Sequence, residues 1–532
     1  MRHPDAGDVF GPAAQAQDVM ARSACRECRL VPTLVIACAA YVGPAQAEKW
    51  SILPAIDTRV TWTDNANFDE QGVKKADTLF EATPSVSLLG EGKRFRISGH
   101  LSVTGLAYAN GTNENTLLPE VDLTANLEAI ERFFFIEAGV ISRQTATDVF
   151  APRPEGASSF NTETTTDYRI IPSFQGQITP DVRYQLRSAN DWSVITGAPA
   201  GTPNQNQSYS GEHTLRMEHQ PVPLGWSFEL GRTVSVFENQ VPPKATDDTA
   251  RIGITDLITS AFTLGVHGGY EKTNLVTNTD KQESPIYGFE MRWKPSERTD
   301  LDWLWEERFF GPSWHFRFDH RMPRVAFNVV LSRDVESFAQ SFLTLPATNN
   351  VAGLLDAAFT TRFPDPTERA RAVANLMAQQ GLPSSLAAPT SLAAQRVTVV
   401  TERGVQFLVT GVRNSLVLGA YSNRTQDLSD SIFVVTGSTP LDVLQEGGSF
   451  TFSHQVTTLT ALNLIGWVSR NRDVDTSTRT YQRGVRLQMT REVGPKTTVY
   501  VGARAQNFDS NAAGVAPKGD EHAAFVGLGH RF

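Results

Sequence analysis

Hydrophobic and polar residues alternate along most of the chain after Trp50. The segments 94–105, 121–128 and 497–506 each place apolar side chains at every second position and polar side chains between them. Alternation with a period of two predicts β-strands with one apolar face. Each segment is about ten residues long, the length of a tilted strand that crosses a bilayer.

The connections between these segments alternate between tight turns and long polar loops. Tight connections include Gly90–Lys93, Ala129–Arg132, Thr179–Val182 and Gly494–Thr497, and long ones include Asp64–Thr78, Thr147–Asp167 and Thr196–Glu212. A soluble β-sandwich has no reason to alternate its loop lengths in this way, whereas outer-membrane barrels do. We therefore predict an all-β fold: a large closed antiparallel transmembrane β-barrel of about 22 strands, within a range of about 16 to 22.

The chain ends with the alternating segment EHAAFVGLGHRF, residues Glu521–Phe532. Val526, Leu528 and Phe532 share one face, and this terminal aromatic strand resembles the signal that barrel-assembly machinery recognises. His530 departs from that signal, since its position is usually apolar or tyrosine. We expect the segment to pair with the first strand and to leave no open edge, with Gly527 and Gly529 as packing or twist residues.

Residues 352–396 break the alternation and predict a helical insertion within the barrel. Asp365 can cap a helix, Pro366 suits its first position and Glu368 completes a capping box, while Gly381 and Pro383 end it. The connection belongs to the long-loop side, so the insertion lies outside the barrel or folds back into the lumen. It is interpreted as a loop, a plug or a gate.

Residues 1–47 have the pattern of a leader with a secretory signal peptide, and the barrel is predicted over 48–532. A basic segment precedes the apolar run Leu30–Val42 and the small-residue site Ala45–Ala47. Translation can start at Met20. A lipid-anchored Cys38 is the alternative to cleavage after Ala47, and all three cysteines lie within this leader.

Composition narrows the class of partners. The 532 residues carry 48 Lys and Arg against 57 Asp and Glu, a net charge of −9. No basic block is present, which argues against nucleic acid. No apolar stretch after the leader is long enough for a transmembrane helix, so the chain is either a membrane barrel or a soluble secreted β-protein.

The polar face of the predicted strands supplies the candidate lumen lining. Its charged members mix both signs, so strong ion selectivity is not predicted, and a hydrophilic solute such as a saccharide suits the lining. The candidates are Arg96, His100, Asp122, Glu128, Arg183, Arg187, Arg216, Glu218, Glu290, Arg292, Arg317, Asp319, Arg486 and Arg504.

The motifs of common catalytic sites are missing from the sequence. It contains no G-x-S-x-G elbow, H-E-x-x-H or phosphate-binding glycine loop. We expect no enzyme activity, no cofactor and no metal. A TonB-dependent transporter is disfavoured because the alternation begins too soon after the leader to leave room for an N-terminal plug domain.

The opening segment WSILPAIDTRVTWTDN, with Trp50 and Pro54, resembles that of the PEP-CTERM/exosortase system-associated outer-membrane β-barrel family, which is porin-2-like. The segment ATPSVSLLG, with Pro84, and the helix ending in GLP at Pro383 are also similar to that family. The resemblance implies an outer-membrane barrel of an exopolysaccharide or envelope system and carries no binding residues onto this chain.

The sequence thus predicts an outer-membrane porin-like channel for a polysaccharide or another hydrophilic solute. Its expected partners are the lipid bilayer, the barrel-assembly machinery and periplasmic export components. The alternative is a structural or adhesive barrel with a closed lumen and glycan-binding outer loops.

Overall fold

The computed structural model describes most of the chain after the leader. The described residues are 49–153, 158, 161–196, 206–237, 244–275, 282–337, 351–380, 382, 386, 389–390, 397–428, 442–512, 515 and 518–532. The predicted signal peptide, its cleavage site and the three cysteines lie outside these ranges.

The described chain forms one antiparallel sheet of 22 strands. The strands are β1 Lys49–Thr63, β2 Asp77–Glu91, β3 Phe95–Tyr108, β4 Thr116–Ile130, β5 Phe134–Ala146, β6 Thr162–Thr179, β7 Val182–Thr196, β8 Asn206–His219, β9 Leu224–Phe237, β10 Lys244–Thr259, β11 Phe262–Thr273, β12 Gln282–Ser296, β13 Thr299–Arg308, β14 Gly311–Met322, β15 Val325–Ser337, β16 Val397–Thr410, β17 Asn414–Asp427, β18 Asp442–Thr457, β19 Thr460–Asp473, β20 Arg479–Gly494, β21 Thr497–Ser510 and β22 Lys518–Arg531.

The sheet closes on itself. Each strand pairs with its neighbour in sequence, and β1 pairs with β22 over nine residues, from Ala55 opposite Arg531 to Thr63 opposite Ala523. The predicted closed barrel and its strand number are confirmed. Both β1 and β22 have their free ends at the side of the short connections, here called the turn end; the other side is the loop end.

Long-range ion pairs distinguish the inward from the outward face of the strands. Arg251 of β10 contacts Glu306 of β13 at 2.8 Å, and such a contact between strands three apart can only cross the interior. Positions in register with these residues therefore face inward. The alternate positions carry exposed apolar side chains such as Ile252, Val266 and Tyr287, the arrangement of a barrel surrounded by lipid.

The insertion contains two helices, α1 Val351–Phe359 and α2 Pro366–Gln380. The amide of Glu368 donates to Asp365 Oδ1 at 2.8 Å, so the predicted cap and the helix that follows it are confirmed. Helix α1 was not predicted. Neither described helix is long and apolar enough to cross a membrane.

One connection departs from the expected alternation of short and long. Strands β13 and β14 meet at the loop end through only Phe309 and Phe310. Strands β15 and β16 extend beyond this short hairpin at the loop end, and their ends lean inward. There Val335 and Val397 join a buried cluster with Phe237 of β9. The outer opening is therefore narrowed on this side.

An aromatic side chain packed on Gly527 explains one of the two terminal glycines. A Cβ atom on Gly527 would collide with the ring of Tyr500, and one on Gly502 would collide with Phe525. The Tyr500 hydroxyl donates to Asp57 Oδ1 of β1 at 2.7 Å. Gly527 is a packing residue at the closing seam, which keeps β21 and β22 tied to β1.

We expect Phe532→Ala to lower the amount of folded barrel in the outer membrane severalfold. Phe532 is 62% exposed and its amide donates to the carbonyl of Pro54, so the substitution removes the terminal aromatic while the backbone pairing remains. Arg531→Ala, at an inward position, is the matched control. The measurement is the heat-modifiable fraction on gels of outer-membrane preparations; equal fractions for both variants would contradict the role of Phe532.

Candidate functional site

The fourteen candidate lining residues all lie at inward-facing positions of their strands. This follows from the registers of β3 and β4, β7 and β8, β12 to β14, and β20 and β21. Their role in solute passage remains a prediction.

Several candidates lie close to an opposite charge, but few contact one another. Arg216 lies 3.2 Å from Glu218 and 3.6 Å from Glu229, and Arg317 lies 3.4 Å from Asp319. Others pair with residues outside the candidate set. Examples are Arg292 and Arg317 with Asp302, Arg187 with Glu212, Arg96 with Glu91, and Arg504 with Glu521.

A buried ion network centred on Arg308 was missed by sequence reasoning. The Arg308 guanidinium lies 2.8 Å from Asp247 of β10, 2.8 Å from Glu271 of β11 and 3.6 Å from Asp334 of β15. The amide of Phe309 also donates to Glu271. Because guanidinium donors match several carboxylates at once, one side chain ties four strands together across the interior.

A second centre joins this network one step deeper in the barrel. Arg251 contacts Glu229 at 3.1 Å and Glu306 at 2.8 Å, and His267 Nε2 lies 2.9 Å from Glu306. The participating residues come from β9, β10, β11 and β13. Glu229 and Arg251 are directly opposite each other on β9 and β10, whereas Glu306 lies three strands from Arg251, a contact that no spacing in the sequence signals.

The insertion packs against the inward face of the barrel at its turn end. Helices α1 and α2 bury apolar side chains against Ala326, Leu408 and Val417, which lie close to the short turns. The hydroxyl of Ser453 donates to the carbonyl of Gln380 at 2.9 Å. The buried helical residues are Val351, Leu354, Leu355, Ala358 and Val373.

The wall behind the insertion carries polar but uncharged groups. Ser415, Thr451 and Asn463 face inward from β17, β18 and β19 and are almost fully buried. Their side-chain polar atoms find no hydrogen-bond partner among the described residues. A buried polar atom without a partner costs about 1–3 kcal/mol. The packing of the insertion against this wall is therefore weaker than its buried area suggests.

A chamber of about 700 Å³ remains between helix α1 and the charged wall. Its lining includes Gly353 and Leu354 of the helix, the Arg251 centre and side chains of β14 and β15. Seven carboxylates line it against four arginines. This excess of acid differs from the balanced lining that the sequence suggested, because only the folded barrel shows which charges share one space.

At the loop end, one cluster combines groups that can ligate metal ions. Among the described residues, this cluster consists of Asp64, Asp520 and His522, whose ligand atoms lie within 4.8 Å of one another. Lys74 lies 2.7 Å from Asp520 and 3.7 Å from Asp64, and the hydrogen bond to Asp520 raises the pKa of the Lys74 ammonium above its ordinary value. The Lys74 ammonium thus supplies the positive charge that neutralises Asp64 and Asp520, and we assign no metal to this cluster.

The closed sheet, its apolar outward face and its polar interior together define a transmembrane β-barrel of the outer-membrane kind. Inside it, an ion-paired wall faces an insertion across a solvent-accessible chamber. This is the geometry of a barrel with a partly occupied lumen. The described residues form no arrangement that we can assign to catalysis.

No family model matches the chain, and no curated protein matches it. Among solved structures, it is similar to a loop L8 deletion mutant of OmpT, an outer membrane protein of Vibrio cholerae, with 8% identity, coverage of 91% and 99% of the two chains, and a TM-score of 0.30. OprD of Pseudomonas aeruginosa has 8% identity, coverage of 92% and 98%, and a TM-score of 0.30.

The ferric-catecholate import receptor Fiu of E. coli K12 is also similar, with 8% identity, coverage of 91% of this chain and 82% of Fiu, and a TM-score of 0.42. Of these three, the OmpT mutant is described as an outer membrane protein and Fiu as an import receptor. Their identities and TM-scores are too low to transfer a substrate or mechanism to this chain.

Arg308→Ala is expected to lower the free energy of unfolding by about 3–5 kcal/mol, because it leaves Asp247 and Glu271 buried without their cation. Arg317→Ala is the control; its side chain is 46% exposed, so its loss should change stability by no more than about 1 kcal/mol. Urea unfolding in lipid vesicles, followed by tryptophan fluorescence, measures both. Equal effects would show that the Arg308 network does not stabilise the barrel.

Proposed function

We propose that this protein is a passive outer-membrane channel for hydrophilic solutes. The observation that carries the proposal is the chamber of about 700 Å³, lined by charged and polar groups, inside a closed barrel. A barrel of this strand number is wide enough for an aqueous or plugged lumen. The solute moves along the ion-paired wall of β9 to β15, past helix α1, which packs on β14 and β15.

The lining favours neutral or basic solutes over acidic ones. Carboxylates outnumber arginines in the chamber, and like charges in a narrow passage repel. Glu290 contributes to this excess; its carboxylate accepts a hydrogen bond from Thr255 and has no ion-pair partner among the described residues. A saccharide presents hydroxyl groups that such a lining can bind.

Export of an exopolysaccharide is the finer form of this proposal. Its support is the resemblance of the segments around Trp50 and Pro84 to the barrel family of exopolysaccharide systems. The acidic chamber adds a constraint of its own, since it suits a neutral or basic polymer and opposes a polyanionic one. The partners in this form are the polysaccharide and periplasmic export components.

The insertion acts as the gate of the channel in this proposal. Its helices occupy the turn end of the lumen against Leu408 and Val417, so passage requires them to shift. The unpaired polar groups of Ser415, Thr451 and Asn463 would be hydrated once the insertion moves, which lowers the cost of opening.

A barrel that never opens is the second candidate function, and the buried apolar contacts of α1 and α2 favour it. In that case the outer loops would bind glycan and the barrel would be structural or adhesive. The two candidates differ in one property, which is whether the lumen conducts.

Replacing residues 338–396 with a four-residue turn is expected to raise single-channel conductance severalfold. The design is feasible because Ser337 and Val397 are directly paired, so a short hairpin can join β15 to β16. Planar lipid bilayers provide the measurement, and gel mobility before and after boiling confirms that the variant is folded. A folded variant that stays silent, like a silent wild type, would refute the channel and support the closed barrel.

The wild-type channel is expected to prefer K⁺ over Cl⁻, and Glu290→Gln should reduce that permeability ratio by roughly twofold. Glu307→Gln is the matched control, because Glu307 occupies the outward face of β13. Reversal potentials in a KCl gradient give the ratio. A preference for Cl⁻, or an equal effect of both substitutions, would contradict an acidic passage through the chamber.

A further inference from the structure

Four arginines gather on the outward face of the barrel at the loop end of two neighbouring strands. Arg470 and Arg472 lie on β19, and Arg479 and Arg483 lie on β20. They occupy the same parity as the exposed apolar residues of those strands, including Val468. The four guanidinium groups therefore point away from the lumen and towards the surroundings of the barrel.

The cluster has no counterions of its own. None of its four side chains makes an ion pair with a carboxylate among the described residues, and Arg472 Nε is buried without a partner. Arg472 lies directly opposite Arg479 in the strand register. Like charges placed opposite each other destabilise a sheet, so the arrangement calls for an external anion.

Three other outward cations near the same rim are paired within the protein. Arg232 lies 3.2 Å from Asp248, Lys272 lies 2.6 Å from Glu283, and Arg424 lies 2.6 Å from Asp442. Two carboxylates share the outward face with the cluster: Glu446 is opposite Arg470, and Asp509 is opposite Tyr481. Neither carboxylate forms an ion pair with an arginine of the cluster.

The position of the cluster identifies the depth at which this anion must lie. Immediately towards the turn end, the same face of β20 carries exposed Val485, Leu487 and Met489, and Arg491 follows them. At about 3.4 Å per residue and a tilt near 40°, the distance along the barrel axis from Arg483 to Arg491 is about 20 Å. That is close to the height of the apolar band of an outer-membrane barrel.

The arginines thus lie at the boundary between the apolar band and the outer surface. An anion bound there has water on one side and hydrocarbon on the other. This situation suits an amphiphile with an anionic headgroup better than a free ion or a soluble protein.

We propose that the cluster binds the phosphate groups of a phosphorylated glycolipid in the outer leaflet, of the lipid A type. Guanidinium groups form bidentate hydrogen bonds to phosphate. Along the register the cluster descends from Arg472 and Arg479, through Arg470, to Arg483 opposite Val468, so its guanidinium groups span enough length to hold a headgroup with two phosphates. Tyr481, opposite Arg470 in the register, is exposed and can donate a hydrogen bond to the sugar.

The acyl chains of the bound glycolipid then run along Val468, Val485 and Leu487. These side chains are all exposed on the outward face of β19 and β20. The glycolipid neutralises the opposed arginines and so stabilises these strands at the loop end. The site faces lipid, and it is separate from the proposed passage through the lumen.

The test uses the full-length mature barrel, freed of bound lipid and placed in phosphatidylcholine nanodiscs. Bisphosphorylated lipid A is titrated in, and the bound fraction is read by native mass spectrometry. The double variant Arg479→Gln, Arg483→Gln is expected to bind lipid A at least tenfold more weakly, since each arginine adds to the attraction of an anionic headgroup. The control Arg232→Gln, which removes a paired rim arginine, should leave the affinity unchanged.

Three results would overturn the proposal. They are equal affinity of the double variant and the wild type, equal affinity for lipid A without its phosphates, and displacement of the lipid by millimolar inorganic phosphate. The last result would assign the cluster to a free anion. If gel mobility shows the double variant to be unfolded, the single variants Arg470→Gln and Arg483→Gln replace it under the same criteria.

Discussion

The structure depends on one constraint: inside a bilayer, every backbone N–H and C=O must find a partner within the protein. An open sheet would leave two unpaired edges, each costing several kcal/mol per group in hydrocarbon. The pairing of β1 with β22 removes both edges. Closure then divides the side chains of every strand between lipid and lumen, and the two proposed binding regions follow from that division.

The interior is asymmetric because its two halves satisfy their polar groups differently. On β9 to β15, carboxylates and arginines pair along the inner wall around Arg251 and Arg308. On β17 to β19, charges are absent from the inward positions that the insertion covers, such as Ser415, Thr451 and Asn463. An ionised group beneath the insertion would lose its water without gaining a counterion. The uncharged inward positions of β17 to β19 therefore mark where the insertion packs.

Much of this fold can be predicted from the sequence, because strand alternation, turn lengths and helix caps are local signals. The strands, their number and helix α2 with its cap at Asp365 follow from such signals. Helix α1 is only nine residues long and has no acidic residue in its first turn and no basic residue in its last, so its ends are weakly marked. The two-residue hairpin at Phe309 breaks the expected loop rule. The contacts of Arg308 join strands that are two or three apart on one side of the barrel, and no local spacing encodes that. The inward parity of the lining residues followed from alternation, whereas the acidic excess of the chamber did not.

The depth of the insertion also limits the order in which the molecule can be assembled. The segment leaves the sheet at Ser337 and returns at Val397, both at the loop end, yet its helices contact Leu408 and Val417 near the turn end. Inserting these helices after closure would mean passing them through an opening narrowed by Val335 and Val397. Placing them while β1 and β22 are still apart avoids that passage. On that route the strands fold around the insertion as a template, and the seam is the last part of the barrel to form.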